Sequence, residues 1–277
     1  MRSRLVRWSL MSAAVLAWSL CVVAQKSTTA SGKAPADTGA SHWQVPKTTW
    51  GDPDFSGMWE PHMPRSTRPW AGWGIAPHEQ VVPLMTSWAK QQYDSNKPSW
   101  GPHAVEDSTD MVNPTTGKEI GCFPTGVPRI WVHPFPTKIV QVPGIVYLLY
   151  EFNHFVREIY TNKGREHAKD LDPSWMGDSV GWWDGDALMI DSVSFNDKTW
   201  IDRAGLPHSD QLHVVERITR PAKDKLRVDV TIDDPKAYSK TWRGFRELQL
   251  EPDWHLTEMI SEDNITCNNL KNQGKEQ

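Results

Sequence analysis

From residue 139 onward, apolar residues recur at alternate positions in short runs, and turn residues separate one run from the next. Ile139 to Val142, Ile145 to Glu151, His154 to Thr161, Ser179 to Trp183, Ala187 to Phe195, Leu212 to Thr219, Leu226 to Asp233, Thr241 to Leu250 and Leu256 to Asp263 carry this two-residue period and predict nine strands. Pro143-Gly144, Asp184-Gly185, Ala222-Lys223-Asp224 and Pro252-Asp253 are short connections that force neighbouring strands to pair. No helix-length segment separates the strands, so the pattern excludes parallel crossover units and predicts an antiparallel meander. A sheet of this size must close or fold into two layers to remove its edges, which predicts a barrel or a deep sandwich.

The first part of the chain reads differently. Residues 50–122 are rich in Pro and Trp, with one plausible helical segment at about Pro83 to Gln92, and are expected to wrap over the barrel rather than build it. Residues 25–49 are small and polar and predict a flexible lead. Residues 1–24 read as a signal peptide: Arg2, Arg4 and Arg7 precede the apolar stretch Leu10 to Val23, with small residues before Gln25. Lipidation at Cys21 is the alternative, disfavoured by the bulky Leu20. The apolar stretch is too short for a membrane span. The expected organisation is thus one domain over 50–270, with its barrel at 123–270 and a frayed tail at 271–277.

Composition narrows the partners. The 277 residues carry 30 basic and 34 acidic side chains, and no five-residue basic run occurs, so nucleic acid is a poor partner. Loss of three Arg with the leader, all acids being kept, lowers the net charge from −4 to −7. Export removes Cys21 and leaves Cys122 and Cys267, an even pair that a disulfide would satisfy in an oxidising compartment; two free thiols are the alternative.

Asp54-Phe55-Ser56-Gly57-Met58-Trp59 ahead of a chain of hairpins resembles the Gly-x-Trp opening of lipocalin and calycin barrels, which implies a Trp closing one end under a ligand cavity. The string from Gly126 to Asn264, with Gly126-Val127-Pro128-Arg129, Gly177-Asp178-Ser179-Val180-Gly181, Trp183-Asp184-Gly185-Asp186, Phe195-Asn196-Asp197-Lys198-Thr199-Trp200 and Thr231-Ile232-Asp233-Asp234-Pro235, is similar to a large family of exported bacterial β-rich proteins. That resemblance implies export and a β-rich fold, and it carries no catalytic assignment.

Candidate chemistry lies where polar residues share an apolar strand face. Alternation places Glu216 with Leu212, Val214 and Ile218, where a carboxylate must take a cation, a donor or a proton. It is therefore a candidate general acid or base, with an ion pair to a neighbouring Arg as the structural alternative. The same alternation groups His154 with Phe152, Val156, Glu158 and Tyr160, as a second proton-transfer candidate or a core imidazole. Arg129 and Arg157 could hold a substrate carboxylate or phenolate, and Tyr238 could donate a proton at the barrel mouth; pairing with a structural Asp and plain packing are the respective alternatives.

Metal binding is disfavoured because His213 and Glu216 project to opposite faces of a strand; if a metal binds, His208 and His213 are its candidate ligands. No phosphate loop, nucleophile elbow or dinucleotide fingerprint occurs, so no cofactor is expected. The chain has 16 Trp, and Trp131, Trp175, Trp183 and Trp200, together with His208, are candidate ligand contacts; the indoles could equally pack the wrap onto the barrel. The sequence thus points to an exported barrel that binds a small, largely apolar aromatic or terpenoid molecule, with cofactor-free isomerase, cyclase, lyase or hydratase chemistry. A non-catalytic binding protein and a His-ligated metalloprotein are the alternatives.

Overall fold

The computed structural model describes residues 43–61, 74–98, 101–105, 124–162, 164 and 166–258. The leader, both Cys122 and Cys267, and the tail at 271–277 lie outside the described residues. Nine strands close into a barrel in chain order: β1 (Gly57–Pro61), β2 (Thr137–Val142), β3 (Ile145–Tyr150), β4 (Val156–Tyr160), β5 (Asp178–Asp184), β6 (Ala187–Val193), β7 (His213–Ala222), β8 (Lys225–Asp233) and β9 (Trp242–Leu250). The alternation that predicted the strands is realised as burial. In β8, Leu226, Val228, Val230 and Ile232 point inward, and in β7 so do Val214, Glu216 and Ile218.

Four expectations are corrected. First, the ring is mixed: β4 and β5 meet in parallel at Tyr160 and Val180, and the described residues of the connection between them hold no helix. Second, the Pro- and Trp-rich segment supplies β1, which bridges β2 and β9 and so completes the barrel. Five residues with one Pro and a Gly are too short to show a period, which is why the pattern missed them. Third, the run predicted at Leu256 to Asp263 has no strand over its described residues, 256–258. Fourth, the run from His154 opens as a 3₁₀ turn over Phe152–His154, with Asn153 and His154 at positive φ, and β4 starts only at Val156.

The two ends of the barrel differ. At one end, where β2 turns into β3 and β5 into β6, Trp59 is fully buried, and its Nε1 donates to the Phe55 carbonyl at 2.8 Å. The Arg220 guanidinium lies 5.3 Å from the Trp59 ring centre and donates to the carbonyls of Asp54 and Lys223, both at 2.7 Å. Trp43 covers Arg220 from outside, and its Nε1 donates to the Arg220 carbonyl, so residues 43–49 are packed rather than a free lead. Gln141 accepts from the Phe55 amide at 2.6 Å and donates to the Pro53 carbonyl at 2.9 Å, fixing this closing segment to β2. Trp59 is thus buried and held at this end of the barrel.

The opposite end is capped by chain rather than by one residue. The single helix expected at about 83–92 is three pieces: α1 (His78–Val81), a 3₁₀ turn at Val82–Leu84 where Pro83 interrupts, and α2 (Ser87–Ser95). Thr86 caps α2 by accepting from the Ala89 amide. Backbone bonds dock this segment onto the β8–β9 connection, from Thr86 N to the Ala237 carbonyl and from Ser239 N to the Leu84 carbonyl. Beside it, the fully buried 3₁₀ turn Arg129–Val132 plugs the barrel with Trp131.

Candidate binding site at the capped end

Inside the barrel beneath Trp131 lies a buried polar network. Arg157 Nη2 donates to Glu216 Oε2 at 2.7 Å, Nη1 donates to Glu216 Oε1 at 3.2 Å, and Trp131 Nε1 donates to Oε1 at 2.5 Å. Ser179 and Ser192 take further bonds from Arg157 Nη2, at 3.0 and 3.2 Å. Burial works against the guanidinium charge, but the Glu216 carboxylate more than offsets it and holds the Arg157 pKa above its usual value. Burial likewise pushes the neighbouring Tyr150 phenol up. Glu216 therefore occupies the inward position that strand parity assigned, but as the anion of a buried ion pair rather than as a general acid. Both of its oxygens are spoken for.

His154 does not join it. From His154 on the alternation holds, but the face that carries it points outward: Arg157 and Ile159 are buried while His154, Val156 and Glu158 are exposed, and only Phe152, in the 3₁₀ turn, is buried apart from its expected face-mates. His154 Nε2 instead donates to the Thr257 carbonyl at 3.1 Å. Tyr238 is also committed: it is buried against Trp242, and its hydroxyl donates to the Pro207 carbonyl at 2.7 Å. Trp183 sits at the other end of the barrel, and Trp175 packs under Lys198. His208 is buried at the capped end, donating through Nδ1 to the Ser209 carbonyl and accepting at Nε2 from Thr199, whereas His213 bonds Asp191 on the outer face. The two do not form a ligand set, and no group of three or more metal-type side chains converges among the described residues.

What the capped end does assemble is a cluster that strand periodicity could not reveal, because its members come from loops. The 199–209 loop is almost wholly buried and is pinned by Asp234, which accepts from the Ser209 amide at 2.6 Å and from its hydroxyl at 2.8 Å. Arg129 lies 5.4 Å from the Trp200 ring. His133 is 3% exposed and stacks on Phe152 at 4.6 Å. Its Nε2 has no hydrogen-bond partner among the described residues. Burial, and then the charges of Arg129 and Arg203, hold its pKa well below 6.5, so it is a neutral imidazole. Arg246 projects into the barrel from β9, and burial pushes its pKa down to about 10.

A second group lies under α1. Asp202 is fully buried and accepts at Oδ1 from the amides of Ala204 and Leu206. Its Oδ2 accepts from His78 Nε2 at 2.7 Å, and His78 Nδ1 meets the Tyr93 hydroxyl at 3.0 Å. Burial alone would lower the His78 pKa, but the Asp202 hydrogen bond and charge prevail and raise it. Burial and the Asp202 charge raise Tyr93. His78 and Asp202 are 124 residues apart, so only the fold could pair them.

No described helix is long and apolar enough to cross a membrane. Comparison with family models, with curated proteins and with solved structures finds no match to this chain.

Proposed function

We propose that this barrel binds a small, largely apolar molecule bearing a carboxylate or phenolate, at the capped end. The observation that carries the reading is His133: a neutral, buried imidazole whose Nε2 has no partner among the described residues, stacked on an aromatic ring in the field of Arg129 and Arg203. A buried polar atom without a partner is costly, and a ligand oxygen would satisfy it. The guanidiniums favour an anion there, and Phe152, Trp131 and Trp200 supply aromatic surface. Titration of tryptophan fluorescence with aromatic and terpenoid acids, each beside its neutral methyl ester, tests this. The acids are expected to bind at least tenfold more tightly than the esters, and His133→Phe and Arg129→Gln to remove that preference. Equal binding of acid and ester, or variants without effect, refutes it.

A second reading, cofactor-free proton transfer on the bound molecule, is favoured by the Tyr93–His78–Asp202 chain, in which a buried carboxylate orients an imidazole against a phenol. Solvent deuterium would then enter the bound molecule, and His78→Gln would slow that exchange about a hundredfold with binding retained. The Arg-led apolar leader supports export; amino-terminal sequencing of the protein recovered from cells would find Gln25 first.

A further inference from the structure

We infer that the end of the barrel closed by Trp59 carries a separate saccharide-binding cleft. It has a volume of about 600 Å³, within the range of small-ligand sites, and is walled by Trp182, Trp183, Asp52, Thr161 and Asn162. Trp182 and Trp183 are consecutive on β5, so their side chains leave opposite faces of the strand. Trp183 turns in and packs its edge on Phe55 at 5.4 Å, with its Nε1 buried and unpartnered among the described residues. Trp182 turns out and is 43% exposed.

The polar wall is set by the backbone. Thr161 N donates to the Gly144 carbonyl at 2.8 Å, joining the end of β4 to the β2–β3 turn. Gly144 has φ +82°, and a Cβ built on it would lie 2.3 Å from Asn162 Oδ1, so the bare glycine is what lets the Asn162 amide lie against this turn. Asp52 is held in turn by Trp50, whose Nε1 donates to its Oδ2 at 2.9 Å.

The chemistry of these groups selects the ligand class. An exposed indole face takes the C–H face of a pyranose ring, while an amide, a carboxylate and a hydroxyl can each meet ring hydroxyls, the amide and carboxylate through two atoms at once. A flat hydrocarbon would desolvate the Asn162 amide and the second Asp52 oxygen without pairing them, and an anion would meet the Asp52 carboxylate. A neutral sugar offers both an apolar face and donors.

The test is a glycan array probed with the full chain, followed by calorimetric titration of the best saccharide. Saturable binding is expected, weakened at least tenfold by Trp182→Ala and by Asn162→Ala, partly restored by Trp182→Phe, and unchanged by His133→Phe. Trp182 and Asn162 are exposed, so both variants should keep the wild-type melting temperature. The cleft is refuted if no glycan exceeds background, or if a bound glycan is held equally well by Trp182→Ala. Loss of sugar binding in His133→Phe alone would place the sugar at the capped end and overturn the inference equally.

Discussion

Replacing Glu216 with Gln should destabilise the barrel strongly, because it removes the only charge partner that Arg157 shows inside the barrel among the described residues. Both side chains are buried, at 3% and 0% exposure, so water cannot take the place of the carboxylate. Breaking one side of such a pair typically costs about 3 to 5 kcal/mol, most of it the uncompensated buried charge. The Gln carbonyl can still accept from Trp131, which removes that bond from the loss. Arg157→Leu should cost a comparable amount, since it strands Glu216 and leaves Ser179 and Ser192 with only each other. The double variant Arg157→Leu/Glu216→Gln should then recover much of the stability, because it leaves no uncompensated charge in the core and the Gln still takes the Trp131 bond. Urea unfolding of the three variants measures the cycle. If Glu216→Gln loses less than about 1 kcal/mol, or if the double variant is as unstable as the sum of the singles, the ion pair is not the polar pin of this core.

Other perturbations read other parts of the fold. Trp59→Ala should cost about 3 to 5 kcal/mol by emptying the closed end beneath Arg220, readable as a lowered urea midpoint. Gly244→Ala should loosen the capping segment, since its Cβ would meet the Ile75 carbonyl oxygen at 2.2 Å where Phe245 N now bonds; faster amide exchange at Phe245 would show it. His133, with its folded pKa depressed, binds its proton more readily when unfolded, so wild-type stability should fall by about 1.4 kcal/mol per pH unit as pH drops below 6.5, and His133→Phe should flatten that slope. His78 has the opposite sign: its raised folded pKa gives stability that is complete below 6.5 and fades as pH rises through the folded value, so His78→Phe should cost more at pH 5.5 than at pH 8.5.

The barrel was legible where strands are long enough to show their period. β7, β8 and β9 lie close to the runs that predicted them, and the inward position of Glu216 follows from the same parity. Parity grouped His154 with Val156 and Glu158 as found, but that face is exposed and a turn separates Phe152 from it. Two consecutive residues at positive φ insert a turn before β4, and each residue added or removed there exchanges inside for outside. Asn and His are among the residue types that adopt positive φ most readily, but two such residues in a row leave no mark on a two-residue period. β1 escaped because its five residues sit in a Pro- and Trp-rich context.

The site was less legible than the sheet, and for a different physical reason. Periodicity reports burial against a regular surface, whereas His133, Asp202 and Arg203 are buried by loops folding over a barrel end, which has no period to report. Asp202 shows the point most directly. Its Oδ1 bonds only to amides two and four residues ahead, a local loop closure that Asp before Gly and Pro commonly makes, and its Oδ2 reaches His78 across the cap. The local half of that arrangement is a turn, and the distant half is the chemistry. If the distant half matters to the cap, Asp202→Asn should keep the two amide bonds while weakening the tie to His78, so the His78 pKa, followed by NMR, should fall from its raised value toward or below 6.5. An unchanged His78 titration in Asp202→Asn would mean that the carboxylate serves its own loop alone, and the proton-transfer reading would lose the group that orients its imidazole.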